Sequence, residues 1–286
     1  MLADQGIGEW GFSALVEADG RTILFDTGAR QDTVLKNARE LGVDLTRVDE
    51  VILSHNHADH TGGLLALRRE MAKSRPASLG RVHVGKGIFL SRPSPSGGEG
   101  NILIAARKEF EAGGGTFVEH AKAEEIFPGA WLTGPVPRKY PERNWSMNGR
   151  SGRIRMPDGT TAEDTVPEDQ SLALDTARGW VILSGCAHAG IINTIDYVEN
   201  TVRHAPVVAA VGGFHLFETD DEHLKWTGEK LRNFGLENLL GAHCTGIEAV
   251  YRLREFTGLN RRTCSVGAVG ATYDLDGGLQ PGRVAR

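Results

Sequence analysis

Alternating apolar and polar positions near the start of the chain predict a β-hairpin. Residues 12–17 and 22–25 each alternate, and the dipeptide Asp19-Gly20 between them is typical of a tight turn. Apolar side chains then recur every three to four positions over about residues 32–41, which predicts an amphipathic helix. The apolar run that ends at residues 51–53 predicts the next strand.

The second half of the chain loosely repeats this order. A second hairpin is predicted over residues 171–183, followed by helices at about 191–202, 221–234 and 247–256 that alternate with short apolar strands. Hairpins followed by alternating strands and helices indicate two mixed sheets packed between helices, an α/β (α+β) fold. We expect one domain over residues 1–286, with a long inserted loop at about 134–167 and a frayed tail from Asp274.

Composition narrows the class of protein. The formal net charge of -5 gives no general affinity for nucleic acid or for an anionic membrane. The sequence contains no run of 18 apolar residues that would span a bilayer, and its first residues lack the basic and apolar parts of a signal peptide. We therefore expect a cytoplasmic protein. Its 3 cysteines are widely spaced and do not predict a disulfide framework.

The segment behind the apolar run 51–53 concentrates metal-binding side chains. His55, His57, Asp59 and His60 form the pattern H-x-H-x-D-H. His55 and His57 alternate to the same side of an extended backbone, so both rings can bind one ion. Asp59 and His60, after the chain turns, can reach a second ion. The alternative is a polar loop that happens to be rich in histidine, but these residues serve a metal ion better than a core.

Three further histidines each stand between an apolar strand and a helix. His188, His215 and His243 all have glycines nearby that let the backbone approach closely. A lone histidine usually caps a helix or packs in a core, but three repeats of one placement favour a shared site. We expect His188 and His243 to be metal ligands, and His215 to hydrogen-bond an anionic substrate.

Asp26-Thr27-Gly28 ends the second strand of the first hairpin. An aspartic protease needs two such carboxylates, and the chain has no second Asp-Thr-Gly tripeptide. We expect Asp26 to orient ligand histidines from behind through hydrogen bonds. An ordinary strand-ending turn is the alternative.

Together these motifs resemble the metallo-β-lactamase superfamily over nearly the whole chain. Residues 133–138, 185–190, 212–216 and 243–246 are similar to a subgroup related to archaeal dihydropterin-ribofuranosylaminobenzene phosphate synthase. The resemblance implies an αββα sandwich with metal ions at one edge of the two sheets. Many members carry a bridging aspartate where this chain has Cys186, and others place a histidine ligand near Glu168 and Asp169. Cys186, Asp169 and His188 are alternatives for completing the ligands of the first ion, and we expect His188.

This reasoning predicts a dinuclear metal site. Zinc is the expected metal, with manganese or iron as alternatives. Water shared by two cations loses a proton near neutral pH, and we expect Asp59 to orient the resulting nucleophile. The resemblance to the superfamily implies a hydrolase of a small ester, lactone or phosphoester. One ion is assigned to His55, His57 and His188, and the other to Asp59, His60 and His243.

Two other functions compete with this one. The subgroup motifs suggest a dihydropterin-ribofuranosylaminobenzene phosphate synthase-like transferase, and a metal-binding protein without catalysis is the third alternative. The net negative charge of the chain disfavours a nuclease. Within the long loop, Arg138, Lys139 and Trp145 are candidates to clamp a phosphate and stack on a planar ring, although a solvated loop would contain similar residues. The expected partner is a small anionic molecule rather than nucleic acid or membrane, and the sequence leaves a homodimer open.

Overall fold

Two mixed β-sheets face each other, and helices cover the outer face of each sheet. The computed structural model describes residues 6–94, 96–145 and 151–282. The first sheet consists of β1 (Ala14–Ala18), β2 (Arg21–Phe25), β3 (Glu50–Leu53), β4 (Arg81–Gly85) and β5 (Thr116–His120). These strands pair in chain order, antiparallel between β1 and β2 and parallel across the rest of the sheet.

The second sheet and two short ribbons are built from the later strands. These are β6 (Glu124–Phe127), β7 (Ala130–Leu132), β8 (Arg153–Arg155), β9 (Thr161–Glu163), β10 (Ser171–Thr176), β11 (Gly179–Ser184), β12 (Val207–Gly212), β13 (Asn238–Gly241), β14 (Cys264–Val266), β15 (Thr272–Asp274) and β16 (Gly278–Gln280). The sheet has the order β14-β13-β12-β11-β10-β7-β6, parallel from β14 to β11 and antiparallel beyond. The ribbons pair β8 with β9 and β15 with β16.

Helices connect the strands. They are α1 (Thr33–Glu40), α2 (Ala58–Thr61), α3 (Leu64–Ala72), α4 (Ile102–Ala112), α5 (Ile191–Thr201), α6 (Asp221–Asn233) and α7 (Ile247–Thr257). Short 3-10 turns lie at Leu45–Arg47 and His243–Thr245. No helix in the described part of the chain is both long enough and apolar enough to cross a bilayer.

Side chains that alternate along the strands divide the core into layers. On β2, Leu24 packs with α3 and α4, whereas Ile23 and Phe25 face the second sheet. On β11, Ile182 packs with α5 to α7 and Leu183 faces the first sheet. Both faces of these strands are buried, which explains why they appear in the sequence as continuous apolar runs. The expected αββα sandwich is confirmed.

The structure corrects the prediction for the tail and refines the prediction for the long loop. The tail was expected to fray from Asp274, but β15 pairs with β16, and Asp274 Oδ1 accepts from the Gly277 N–H at 2.6 Å within the turn. The Asp-Gly-Gly turn at residues 276–278 was the signal for this hairpin. The long loop contains the β8–β9 ribbon, and its residues 146–150 lie outside the described residues.

Candidate metal centre

The candidate site lies where parallel strands of both sheets end. Loops after the carboxyl ends of β2, β3, β11, β12 and β13 carry the side chains that the sequence singled out. Neighbouring parallel strands end at the same edge of a sheet, so these loops converge. In chain order they supply Asp26, the cluster at residues 55–60, Cys186 with His188, His215, and His243.

Three of the histidines come together as a first group. The ligand nitrogens of His55, His57 and His188 lie within 4.8 Å of one another. Nε2 of His55 is 3.2 Å from Nε2 of His188, and both residues are buried. Two nitrogens that bind one tetrahedral zinc ion at roughly 2.0–2.1 Å stand about 3.3 Å apart, so the observed spacing fits a shared ion.

A carboxylate and two histidines form the second group. The ligand atoms of Asp59, His60 and His243 also lie within 4.8 Å of one another. Nε2 of His243 is 3.2 Å from Nε2 of His60 and 3.2 Å from Oδ2 of Asp59. The structure thus brings the six predicted ligands together in the same two groups of three to which the sequence assigned them.

Hydrogen bonds on the outer side of the rings turn nitrogen lone pairs toward the first group. Nδ1 of His188 donates to the carbonyl oxygen of Asn144 at 2.5 Å. The Ser54 hydroxyl donates to Asp26, so its oxygen accepts from Nδ1 of His55 at 2.9 Å. Nε2 of each neutral ring is then an acceptor, and the two facing Nε2 atoms share no proton. This arrangement is repulsive unless a cation stands between the rings, so the residues fit a metal ion.

Asp26 supports both groups through hydrogen bonds to Ser54 and His60. Its Oδ1 accepts from the Ser54 N–H, and its Oδ2 accepts from the Ser54 hydroxyl and from Nδ1 of His60, each at 2.7 Å. Gly185 leaves the space for these contacts, because a Cβ there would lie 2.1 Å from Ser54 Oγ and 2.6 Å from Asp26 Oδ2. These are the contacts of a carboxylate that orients ligand histidines.

Burial and charge act differently on the two groups. Burial lowers the pKa of His57 to about 4 and lowers the pKa of His55 well below its usual value. These rings are therefore neutral, which is the form that binds metal. Burial also disfavours protonated His60, but the carboxylates of Asp26 and Asp59 outweigh burial and raise the pKa of this ring. The second group consequently favours positive charge.

Cys186 lies between the two groups. Its Sγ is 3.1 Å from Nε2 of His60 and 3.1 Å from Sγ of Cys244. It belongs to three further sets of atoms that could hold an ion, with His55 and His60, with His188 and His215, and with His243 and Cys244. Burial raises the pKa of the Cys186 thiol well above its usual range. A sulfur that binds metal is a thiolate, so the cation would have to displace this proton, and the role of Cys186 as a ligand stays a prediction.

Asp169, another alternative for the first group, faces the backbone instead. Its Oδ2 accepts from the Ala189 N–H at 3.0 Å, and burial raises the pKa of the carboxyl to about 7. Among the described residues it belongs to none of the groups that could hold an ion. The neighbouring Glu168 pairs with Arg92 at 2.7 Å. His188 is therefore the alternative that the structure places in the first group.

His215 borders the first group. Its ring centroid lies 4.7 Å from that of His188 and 5.2 Å from that of Phe217. Neither ring nitrogen has a hydrogen-bond partner among the described residues, and a φ of 46° places the residue in the left-handed region. Backbone strain and unpartnered nitrogens are typical of a side chain that binds a substrate or another small molecule. Binding of an anionic substrate by His215 stays a prediction.

The three substrate candidates of the long loop already have partners within the chain. Arg138 donates to the carbonyl oxygens of Thr165 and Val166 and lies over the ring of Trp145. Lys139 pairs with Asp196 of α5 at 2.8 Å. The indole N–H of Trp145 donates to Glu163 at 3.0 Å. A phosphate clamp formed by these residues stays a prediction, and it would require these contacts to be exchanged.

Three residues at the site were not predicted from the sequence. Ser54 joins Asp26 to His55, and its position directly before the first ligand histidine was the available signal. Asn144 accepts from His188 through its carbonyl oxygen, which every residue has, and its side-chain amide donates to the carbonyl oxygen of Phe214 at 3.0 Å, a contact that no motif marked. Trp10 places its ring centroid 4.9 Å from that of His243, and no motif marked it.

The chain belongs to the metallo-beta-lactamase superfamily, whose family model matches residues 11–202. The fold, the order of the ligand loops and the convergence of the histidines agree with this assignment. The chain is therefore an enzyme of this superfamily, a hydrolase or a synthase, and its histidine groups could hold metal ions.

Several similar proteins span most of the chain. It is 30% identical over 243 residues to a 7,8-dihydropterin-6-methyl-4-(beta-D-ribofuranosyl)-aminobenzene-5'-phosphate synthase of Methanocaldococcus jannaschii, which covers 84% of this chain and 82% of the relative. It is 28% identical to Tm1679, described as a metal-dependent hydrolase of the beta-lactamase superfamily, with a TM-score of 0.69 over 89% of this chain and 88% of the other. Zn(2+)-bound PqqB from Methylobacterium extorquens, 16% identical with a TM-score of 0.50 over 86% and 82% of the two chains, shares the fold.

Proposed function

We propose that this chain is a dinuclear metal-dependent hydrolase that acts on a small ester, lactone or phosphoester. The observation that carries the proposal is the convergence of six ligand side chains into two adjacent groups, in each of which two Nε2 atoms face each other at 3.2 Å. The similarity to the metal-dependent hydrolase Tm1679 supports the class of reaction.

Zinc is the metal that best suits these donors. Imidazole and carboxylate ligands favour zinc, and manganese or iron are the alternatives for the same set. When bound, two such ions supply Lewis acidity and lower the pKa of water toward neutrality. In this proposal His55, His57 and His188 hold one ion, and Asp59, His60 and His243 hold the other.

The chain's own residues orient the reactants. Burial would raise the pKa of Asp59, but its hydrogen bond with His243 and the nearby imidazoles outweigh burial and lower it, so the carboxylate is ionised. Its side chain is 23% exposed, so it can also hydrogen-bond water in the cleft. Asp26 fixes the ring of His60. In this proposal the buried ring nitrogens of His215, beside the first group, hydrogen-bond the anionic substrate.

A synthase is the second candidate function. The observation in its favour is the 30% identity with the archaeal synthase across 82% of that protein. In this alternative the same ligand residues would serve a transferase that joins a dihydropterin to a ribofuranosylaminobenzene phosphate. The fold does not discriminate between the two reactions, because one fold supports both.

Metal content and turnover, measured together, test the proposal. Purified protein loaded with zinc, manganese or iron should contain two ions per chain and should turn over at least one member of a panel of phosphoesters, lactones and carboxylic esters. In ¹⁸O-water the product of hydrolysis carries the label, whereas coupling of a dihydropterin diphosphate to a ribofuranosylaminobenzene phosphate yields the joined product, releases diphosphate and incorporates no label. His57→Ala should lower turnover by about a thousandfold, and His204→Ala, whose imidazole is 88% exposed, is the matched control. Turnover that survives both chelation and His57→Ala would refute a metal-dependent reaction.

A further inference from the structure

We infer that Trp10 and Phe217 form a binding surface for a planar aromatic ring of the substrate, beside the second ligand group. This inference rests on the proposed function, because it assigns the part of the substrate that lies next to the reacting group. Neither residue belongs to the motifs that define the ligand groups.

A continuous arc of rings connects the two ligand groups. It starts at His188 and passes through His215, Phe217 and Trp10 to His243. Successive ring centroids are 4.7, 5.2, 5.7 and 4.9 Å apart. The two middle contacts of the arc involve Phe217, and Trp10 packs directly on a proposed ligand. A ring that stacks on the open face of Trp10 therefore lies within two ring contacts, roughly 10 Å, of His243 in the second group.

Trp10 is an exposed aromatic residue next to the candidate metal centre. The residue is 58% exposed although its ring contacts both Phe217 and His243. The other large hydrophobic side chains that are mainly exposed in the described part of the chain include Ile247 and Tyr251 on α7. A Cβ on Gly246, the residue before Ile247, would lie 2.7 Å from Cβ of Phe217, so this end of α7 lies against the arc. Exposed apolar surface that borders a polar site is typical of a ligand-binding surface.

The segment that carries Trp10 is fixed before any ligand arrives. On one side, Glu9 accepts from the Ala29 N–H at 2.9 Å. On the other, the Phe12 N–H donates to the carbonyl oxygen of Asp59 at 3.2 Å. A Cβ at Gly11 would lie 2.9 Å from both of these backbone regions, so the segment can approach the metal cluster closely. An aromatic surface held in place loses little entropy on binding, which favours affinity.

The size of the surface favours a small ring over a protein partner. A stable protein interface buries about 800 Å² on each partner. Trp10 and Phe217 offer only part of two side chains, whereas one aromatic ring needs little more than that to stack. The surface also continues directly into the ligand groups, so a bound ring would carry its polar substituent toward the proposed ions.

A pair of matched probes tests the inference on zinc-loaded protein. 4-Aminobenzoate carries a planar ring and a carboxylate, and cyclohexanecarboxylate carries the same charge without aromaticity. By isothermal titration calorimetry, the wild type should bind 4-aminobenzoate about tenfold more tightly than Trp10→Ala, and Trp10→Phe should recover most of this loss. Trp10→Leu keeps an apolar side chain without a ring and should behave like Trp10→Ala. All forms should bind cyclohexanecarboxylate with similar, weaker affinity.

Two further readouts separate this inference from the proposed function. Zinc content should be unchanged in all three Trp10 variants, and in 5-fluorotryptophan protein the ¹⁹F signal that Trp10→Phe removes should shift when 4-aminobenzoate is added. If zinc binds but Trp10→Ala and Trp10→Leu hold 4-aminobenzoate as tightly as the wild type, the inference is wrong. It is also wrong if the protein is a dimer that both Ile247→Asp and Trp10→Ala dissociate, because a second copy would then cover the surface. Loss of zinc binding by the wild type would instead defeat the proposed function.

Discussion

The two sides of the candidate site differ in charge. Beside His243, the rings of Trp10 and Phe217 lie next to the ligands and carry no charge. Beside His57, charged groups are buried and paired with one another, and Glu168 accepts from the N–H of the preceding residue Asn56 at 3.2 Å. Arg92 binds Asp164 at 2.6 Å and Glu168 at 2.7 Å.

This contrast shows that cationic side chains near a site do not by themselves make an anion-binding site. The guanidinium of Arg92 is neutralised by two buried carboxylates, and that of Arg138 is engaged by backbone carbonyls. Arg138 supports the backbone of the long loop, and Arg92 pairs with Asp164 of that loop. The surface that remains for a substrate is aromatic on one side, and positive charge for an anionic group must come mainly from the proposed ions.

The largest expected effect comes from removing a ligand of either group. His57→Ala or His60→Ala should reduce the bound metal from two ions to one and lower the turnover rate by about a thousandfold, because an ion supplies several kcal/mol of transition-state stabilisation. Metal analysis and steady-state kinetics measure this change. His223→Ala on α6 is the control. Wild-type rates in either ligand variant would show that the groups are not catalytic.

A buried carboxyl group should make the free energy of unfolding depend on pH. Glu142 is buried at the start of α5, where it accepts from the N–H groups of Ile192 and Asn193, and burial raises its pKa from an ordinary 4.5 to about 7. The folded protein thus holds this proton more tightly than the unfolded chain. The resulting stability is fully present below about pH 4.5 and is lost as the pH rises through 7, a change of about 3 kcal/mol.

Chemical denaturation at pH 5 and pH 8 measures this effect. Glu142→Gln should show a smaller fall in the free energy of unfolding between the two pH values than the wild type. Glu248→Gln, at a side chain that is 77% exposed, should leave the fall unchanged. Equal falls in the wild type and Glu142→Gln would show that the Glu142 carboxyl does not titrate in this range.

Removing the carboxylate behind the ligands should have the next largest effect. Asp26→Asn keeps the shape of the side chain but cannot accept from both Ser54 and His60 as a carboxylate does. Metal affinity or activity should fall by about 10- to 100-fold. Competition with a zinc-binding dye measures the affinity. A folded variant with unchanged zinc affinity and unchanged activity would mean that Asp26 only ends a strand.

The smallest expected effect on substrate binding is that of Arg138→Ala. Because this arginine supports the backbone at Thr165 and Val166, its loss should lower the free energy of unfolding by about 1 kcal/mol or more. The Michaelis constant for an anionic substrate should change less than it does in Trp10→Ala. A tenfold rise of that constant with unchanged stability would support the phosphate clamp that the sequence suggested.

The ligand loops were predictable because local spacing encodes them. The pattern from His55 to His60 places four donors on one turn, and His188 and His243 each follow an apolar strand that the sequence shows clearly. Parallel strands carry such loops to one edge of the sheets, so their convergence needed no knowledge of distant contacts.

The aromatic arc and the charged side could not be predicted in this way. Trp10 and Phe217 are more than 200 residues apart in the chain, and only the tertiary fold brings their rings to 5.7 Å. The contacts of Arg138 and Arg92 likewise depend on how residues 134–167 fold back on themselves. The sequence revealed the charges of this loop but not their partners, so it suggested a free clamp where the structure pairs them.

Anomalous X-ray diffraction at the zinc edge, from crystals of zinc-loaded protein, tests the central claim most directly. We predict two anomalous peaks. One should lie among His55, His57 and His188, and the other among Asp59, His60 and His243. A map with no peak in either group, or with zinc bound only elsewhere in the chain, would contradict the dinuclear centre.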